Sequence, residues 1–186
     1  EEKCTIDNTG ERGCVANGTV AIGNPCGTED CVAGGICLGD VNVGYCAKFC
    51  AADGDCTMPN ICSVKLGDGA GGELPNVAMC SSSCDPATGS GCPTGLGCVL
   101  GLEGTGLERF FFMCFPAGTG LEATPCASAS DCVVGYGCYN NGTNDPCYKN
   151  CNVNGSTCTG GQTCLAINGP DMLPVVVEGY ALGVCQ

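Results

Sequence analysis

The chain contains no histidine and no tryptophan, and only 5% of its 186 residues are aromatic. Without histidine, neither a Ser-His-Asp triad nor a Cys-His pair can form for nucleophilic hydrolysis. No glycine-rich stretch is followed by the Lys-Ser/Thr of a phosphate-binding loop. No run approaches the roughly 18 apolar residues that are needed to cross a bilayer. We therefore predict a protein that is not an enzyme and does not insert into a membrane.

Basic residues are also scarce. Six Lys and Arg residues stand against 19 Asp and Glu, which gives a net charge of −13. This charge repels the phosphate backbone of nucleic acids and anionic membrane surfaces, so neither is expected as a partner. Glu103 and Glu108 form the one close glutamate pair on a predicted hairpin, and we interpret them as solvated loop charges and not as a catalytic carboxylate pair.

Cysteine is abundant, with 22 residues, beside 32 glycines. This fraction lies above the level that is typical of disulfide scaffolds, which persist in oxidising compartments. The even number permits complete pairing, so all 22 cysteines are predicted to form disulfides. We expect a secreted or cell-surface protein whose signal peptide has been removed, because the first residues, "EEKC", lack an apolar segment. With so few aromatic residues, several thin cores are expected.

The cysteines form a repeated cassette, which we label a, b, c and d. The a–b gap holds four to seven residues, the b–c gap always five, and the c–d gap eight to twenty. The five copies are Cys26-Cys31-Cys37-Cys46, Cys50-Cys56-Cys62-Cys80, Cys84-Cys92-Cys98-Cys114, Cys126-Cys132-Cys138-Cys147 and Cys151-Cys158-Cys164-Cys185. The cassette predicts tandem modules at 26–46, 50–80, 84–114, 126–147 and 151–185.

Each cassette carries its own turn and hairpin signals. The third residue of every b–c gap is Gly or Pro, which suits a tight turn. Asp30, Asp55 and Asp131 precede the b cysteine and can accept backbone N–H bonds there. The c–d segments begin and end apolar around a middle that is rich in Gly, Asp, Asn or Pro, which is the hairpin pattern. The predicted fold class is therefore a small disulfide-rich array of β-hairpins with little or no helix. Four cysteines allow three pairings, and the spacing does not choose among them.

A longer period is also present. Residues 14–26 match 114–126 in length, in the position of a Gly-Thr pair and in the closing Pro-Cys. Cys4 and Cys14 then correspond to a c–d pair without a and b, so residues 1–25 are expected to be a partial module with a linker, and 115–125 a second linker. The isolated pair mildly favours c–d bonding. Interleaved a–c and b–d bonds remain the alternative, with Cys4–Cys14 as an exception. The sequence thus begins within a module and ends one residue after a d cysteine.

Metal binding is weakly indicated. The C-x3-C steps at Cys46/Cys50, Cys80/Cys84 and Cys147/Cys151 qualify formally as thiolate sites, but we interpret them as connectors that force consecutive modules to stack. No cofactor is predicted. Structural calcium is the alternative, because turn carboxylates can gather around a hard cation. The candidates are Glu29, Asp30, Asp40, Asp53, Asp55 and Asp68.

Three N-x-[ST] sequons mark candidate glycosylation sites at Asn17, Asn141 and Asn154. Asn-Gly is also a favoured turn dipeptide, so each site has a purely conformational interpretation.

Two apolar segments suggest a subunit interface. A half-exposed strand would alternate apolar and polar residues, whereas 108–115 is apolar on both faces and 173–185 nearly so. The candidate interface residues are Phe110, Phe111, Phe112, Val175, Val176 and Val177. The alternative is burial between neighbouring modules of one chain. With the incomplete first module, these segments suggest head-to-tail association into a filament, appendage or surface layer. The second hypothesis is a monomeric binding module that displays loops 63–79, 99–113 and 165–184 to a receptor, glycan or protease.

The pattern Pro-Cys…Asp-Cys-x2-Gly-x2-Cys at Pro25–Cys37, repeated at Pro125–Cys138, resembles the cysteine-rich N-terminal domain of the Dickkopf family. It is also similar to cysteine-repeat segments of secreted bacterial surface proteins, notably those of myxobacteria. The resemblance implies small extracellular β-hairpin modules without catalytic residues. Dickkopf domains carry one such module in a basic, receptor-binding context, whereas this chain has five in an acidic one. We therefore expect no Wnt-pathway function.

Overall fold

The computed structural model describes residues 2–6, 10–27, 31–39, 43–67, 72–103, 109–139, 145–155 and 158–186. Within these ranges the chain forms short β-strands and two single-turn 3₁₀ helices, with no α-helix. No helix in this part of the chain is long and apolar enough to cross a membrane. The predicted fold class, small disulfide-stapled hairpins without helix, is confirmed.

The chain divides into two compact units, Glu1–Ser82 and Ser83–Gln186. The first unit contains three antiparallel hairpins. Their strands are β1 (Glu2–Ile6) with β2 (Arg12–Ala16), β3 (Gly35–Gly39) with β4 (Gly44–Lys48), and β5 (Cys62–Gly67) with β6 (Glu73–Cys80).

The second unit contains one hairpin and one five-stranded sheet. The hairpin pairs β7 (Leu96–Glu103) with β8 (Arg109–Pro116). The sheet is built from β9 (Tyr136–Cys138), β10 (Cys147–Asn152), β11 (Cys164–Ala166), β12 (Val176–Val177) and β13 (Tyr180–Cys185). Its order is β11-β13-β10-β9, and β12 pairs with β13.

All five cassettes have the same disulfide connectivity, a to c and b to d. The bonds are Cys26–Cys37, Cys31–Cys46, Cys50–Cys62, Cys56–Cys80, Cys84–Cys98, Cys92–Cys114, Cys126–Cys138, Cys132–Cys147, Cys151–Cys164 and Cys158–Cys185. The c and d cysteines of each cassette lie directly opposite each other on the hairpin. They nevertheless bond to the a–b segment, so each module ties a turn to a hairpin.

The prediction that all 22 cysteines form disulfides is wrong for two of them. Cys4 and Cys14 are free thiols. The interleaved a–c and b–d pattern explains the exception, because a c–d pair in this fold bonds to partners outside its own hairpin.

The predicted turn chemistry is confirmed. The third residue of the b–c gap has a positive φ of 81° to 88° at Gly34, Gly95, Gly135 and Gly161, a conformation that glycine adopts without a steric penalty. The carboxylate of Asp55 accepts N–H bonds from Ala51 at 2.8 Å and Ala52 at 3.0 Å. The carboxylate of Asp131 accepts bonds from Ala127 at 2.7 Å and Ser128 at 3.0 Å. These two aspartates end the 3₁₀ turns Asp53–Asp55 and Ala129–Asp131, while Asp30 lies outside the described residues.

The C-x3-C connector joins consecutive hairpins within a unit. In the second unit, strand β10 first pairs with β9, through Cys147 to Lys149, and then with β13, through Asn150 to Asn152. In the first unit, Phe49 continues from β4 and bridges to Met79 of β6. At each of these two connectors, one extended segment thus belongs to two modules.

The longer sequence period also has a structural counterpart. The amide of Gly18 donates to the carbonyl of Cys31 at 3.1 Å, and that of Gly118 donates to Cys132 at 2.9 Å. Further along, Gly23 donates to Cys46 at 2.7 Å as Ala123 donates to Cys147 at 2.9 Å. Residues 14–26 and 114–126 therefore lie against the following module in the same way. Both units follow one plan, in which a c–d pair of strands is followed by a linker and by two further c–d pairs of strands.

The apolar segments that suggested a subunit interface form the core of the second unit instead. Phe112, Val175 and Val177 are 1%, 2% and 4% exposed and pack together with Leu182. Phe111 is buried and Phe110 packs against the same cluster, so of the six candidates only Val176 is exposed. The alternative interpretation, burial between neighbouring modules of one chain, accounts for the other five.

Candidate functional site

The two free thiols face each other on the first hairpin. Cys4 of β1 is the direct cross-strand partner of Cys14 of β2, and both side chains are exposed. The pKa of the Cys14 thiol lies above its ordinary value, first because of a hydrogen bond with the Cys4 side chain and second because of repulsion from a Cys4 thiolate. The pair is therefore a solvent-accessible dithiol that is held close by strand pairing.

This hairpin is a module without its a–b half. Cys4 occupies the c position and Cys14 the d position, as Cys98 and Cys114 do at the start of the second unit. There the two thiols are bonded to Cys84 and Cys92. The described residues include all 22 cysteines, and the other 20 are already paired. Among residues 1–186, no a or b cysteine remains to complete the first hairpin.

A groove of about 350 Å³ opens beside Cys4 in the first unit. Its walls come from the first hairpin, through Ile6 and Arg12, and from the third hairpin and its connector, through Phe49 and Val77. Cys4, Ile6, Arg12 and Cys14 lie on one face of the hairpin, because side chains two apart, or directly opposite across the ladder, point the same way.

The corresponding place in the second unit is filled. Counted from the c and d cysteines, the counterparts of Cys4, Ile6, Arg12 and Val77 are Cys98, Leu100, Phe112 and Leu182. Cys98, Phe112 and Leu182 are at most 2% exposed, and Leu100, Cys84 and Cys92 pack against them. The a–b cysteines thus help to cover in the second unit the surface that is open in the first.

Polar contacts also fix the segment between Cys84 and Cys92, which is the a–b half of the first module in the second unit. The buried Asn150 donates from Nδ2 to the carbonyl of Pro86 at 3.0 Å and accepts a bond from the hydroxyl of Tyr139 at 2.8 Å. Burial raises the pKa of Tyr139, so this hydroxyl stays a donor at neutral pH. In the first unit the residue at the position of Asn150 is Phe49, which precedes the a cysteine and lines the groove.

A buried lysine anchors the first hairpin, and the sequence patterns gave no indication of it. Lys3 is 4% exposed, and its Nζ donates to the carbonyl of Cys31 at 2.7 Å and to that of Gly35 at 3.4 Å. The second unit has Gly97 at the equivalent position. Lys3 therefore fixes β1 on the next module without using the thiols, which stay exposed on the other face of the strand.

The other predicted sites are distributed as follows. Clusters of three cysteine sulfurs occur in every cassette, but all of these sulfurs belong to disulfides, so they offer no thiolate ligands. Among the calcium candidates, Asp53 accepts an N–H bond from Cys62 at 2.9 Å and Asp55 accepts the two bonds of its turn. Glu29, Asp30, Asp40 and Asp68 lie outside the described residues, as does Glu108. Glu103 forms an ion pair with Arg109 at 2.5 Å.

The sequons differ in accessibility. Asn154 is exposed on a turn. Asn17 is half-buried, and its Oδ1 is buried without a hydrogen-bond partner among the described residues. Asn141 lies outside the described part of the chain. Glycosylation stays a prediction for all three, and Asn154 is the more accessible of the two described sites.

No protein-family model, curated protein or solved structure matches this chain. The resemblance to Dickkopf domains and to myxobacterial surface proteins accordingly stays a prediction from spacing.

Proposed function

We propose that this protein is a non-enzymatic extracellular structural subunit, which is stapled internally by disulfides and joins other chains head-to-tail in a filament, appendage or surface layer. The observation that carries the proposal is the open groove beside Cys4, on a hairpin with two exposed thiols, whose counterpart in the second unit is covered and doubly crosslinked. A module that is complete in one unit and open in the other provides a place where a further chain can dock.

The composition and the crosslinks favour the same role. Ten disulfides connect segments 11 to 27 residues apart, and closures of this length stabilise a chain by about 3 kcal/mol each in the chain-entropy estimate, with poor additivity. Such crosslinks persist in oxidising surroundings outside the cell. The resulting rigidity is useful to a protein that must keep its shape outside the cell.

The proposal is tested on purified protein at high concentration under non-reducing conditions. We expect negative-stain microscopy and light scattering to show elongated assemblies, and the C4S/C14S double variant to assemble less. If both samples contain only single chains at every concentration, also after material from the natural source is added, this function is wrong.

A second candidate function, a monomeric binding module, is favoured by one exposed apolar loop. Met172 and Leu173 are 79% and 63% exposed between β11 and β12, and Val176 is 55% exposed nearby. A binder would remain a single chain and would have a saturable partner. If the protein is a binder, the M172S/L173S variant should stay a single chain and lose its partner. If it is a structural subunit, the same variant should assemble as the natural chain does.

A further inference from the structure

We infer that the first hairpin is an acceptor for a half-cassette that lies outside residues 1–186. The donor is a segment of the form Cys-x4–7-Cys, which would bond Cys4 through its first cysteine and Cys14 through its second. This inference rests on the proposed function and specifies which kind of segment docks on the first hairpin. The spacing and the order of bonding follow from the five complete cassettes, all of which connect a to c and b to d.

The second unit shows what the donor has to cover. Its segment 83–95 places Cys84 and Cys92 over the face that carries Cys98 and Phe112. Within this segment the carboxylate of Asp85 accepts the N–H of Ala87 at 2.9 Å, which fixes the turn between the two cysteines. A donor therefore needs its own turn residues as well as the two thiols.

The first unit presents a matching acceptor. Cys4 and Cys14 are exposed, whereas Cys98 and Cys114 are 2% and 3% exposed beneath their a–b segment. Arg12 stands in the groove where the second unit has Phe112, and Asp55 also lines this groove, so the acceptor carries one side chain of each charge. Half-cassettes in this chain carry Asp in the turn, at Asp55, Asp85 and Asp131. A donor is therefore expected to carry such an aspartate in its own turn, between the two cysteines.

The chemistry balances with a disulfide oxidant. Each new bond forms when one cysteine thiolate attacks glutathione disulfide and releases one glutathione. The partner thiolate then attacks the resulting mixed disulfide and releases the second glutathione. Two bonds therefore consume two molecules of glutathione disulfide and give four of glutathione, and the protein and donor together lose four hydrogen atoms. After the first bond the second is intramolecular, which favours a two-cysteine donor over a one-cysteine donor by about 100-fold.

The test uses the full chain and an isotopically labelled peptide with the sequence of residues 83–95, SCDPATGSGCPTG, in a glutathione redox buffer. We expect a one-to-one adduct, whose mass exceeds that of the chain by the mass of the peptide less four hydrogens. Proteolytic mapping should connect the first peptide cysteine to Cys4 and the second to Cys14. Control peptides have one cysteine replaced by serine, or both cysteines separated by a single residue, and should be captured about 100-fold less.

Two variants separate docking from simple thiol reactivity. Ile6→Asp places a charge in the groove and should reduce capture, whereas Thr19→Asp, on an exposed residue outside the groove lining, should not. Formation of a Cys4–Cys14 bond with no peptide adduct would overturn the inference. Equal capture of the matched and control peptides would also overturn it. If filaments form but the peptide is not captured, the proposed function stands and this donor is rejected. If the peptide is captured but no assembly forms, this donor stands and the proposed function is rejected.

Discussion

The Nζ of Lys3 donates a 2.7 Å hydrogen bond to the carbonyl oxygen of Cys31, across the boundary between the first hairpin and the first complete module. A buried ammonium group is stable only where acceptors replace its water, and the carbonyls of Cys31 and Gly35 provide them. The first hairpin is thus positioned by one charged side chain, whereas the hairpin of the second unit is positioned by two disulfides.

We expect Lys3→Met to loosen the first hairpin. Methionine retains much of the apolar stem but removes the donor, and a hydrogen bond that involves a charged group contributes about 1.5–3 kcal/mol. Amide exchange of residues 2–6 and 12–16 should become faster, while exchange in the second unit stays unchanged. Lys65→Met, at an exposed lysine of β5, is the matched control. Equal protection in both variants would show that Lys3 does not anchor the hairpin.

The local structure of each cassette was predictable because it depends on neighbouring residues. Gly34 and Gly135 have a fixed place in the b–c turn, and Asp131 can reach the backbone amides of its own turn. The disulfide connectivity was not predictable, since it depends on which face of the hairpin the a–b segment covers. The roles of Lys3 and Phe112 also depend on distant contacts, and a strand that is apolar on both faces is compatible with either a core or an interface.

The aspartate turns predict a pH dependence of stability. Two backbone N–H bonds lower the pKa of Asp55 and of Asp131, and burial opposes this effect. A carboxylate whose folded pKa is depressed stabilises the fold above the unfolded pKa of about 3.9, and the contribution disappears as the pH falls through the folded value. The thermal transition should therefore move to lower temperature in acid.

Substitution at these two positions identifies the groups responsible. The D55N/D131N variant keeps oxygen acceptors without charge, so it should show a smaller loss of stability between pH 5 and pH 2 than the natural chain. D55A/D131A should be less stable than the natural chain at pH 7 as well, because the acceptors are absent. An unchanged acid dependence in both variants would assign the effect to other carboxylates.

Asn150 should be among the most sensitive polar residues of the second unit. It is 2% exposed and connects Pro86 to Tyr139. Asn150→Ala leaves a carbonyl and a hydroxyl without their partner, which costs about 2–3 kcal/mol. Denaturant unfolding without reductant measures the loss, and Asn154→Ala at an exposed turn is the control. If Tyr139→Phe and Asn150→Ala gave fully additive losses, the proposed Tyr139–Asn150 bond would not contribute.

The core role of Phe112 is tested against the interface hypothesis by a pair of substitutions. Phe112 is 1% exposed and makes an edge contact with Tyr180 at a centroid distance of 5.9 Å. Phe112→Ala should destabilise the second unit by about 3–5 kcal/mol, and the transition should not depend on protein concentration. Val176→Ala, at a 55% exposed position, should change stability little. A transition that depends on protein concentration in the natural chain, and loses this dependence in the Phe112→Ala variant, would return this residue to an interface between chains.

Alkylation of the folded protein should find two thiols per chain, at Cys4 and Cys14, and 22 after reduction and unfolding. The thiolate is the reactive form, and both the hydrogen bond and the charge of Cys4 raise the pKa of Cys14. Below pH 9, Cys4→Ser should therefore make Cys14 react faster, because a serine hydroxyl carries no charge that repels the Cys14 thiolate and can donate a hydrogen bond to it. The matched variant Thr5→Ser changes a neighbouring residue and leaves both thiols in place. A Cys14 that reacts more slowly in the Cys4→Ser variant than in the natural chain would show that the two sulfurs do not interact as the hairpin places them.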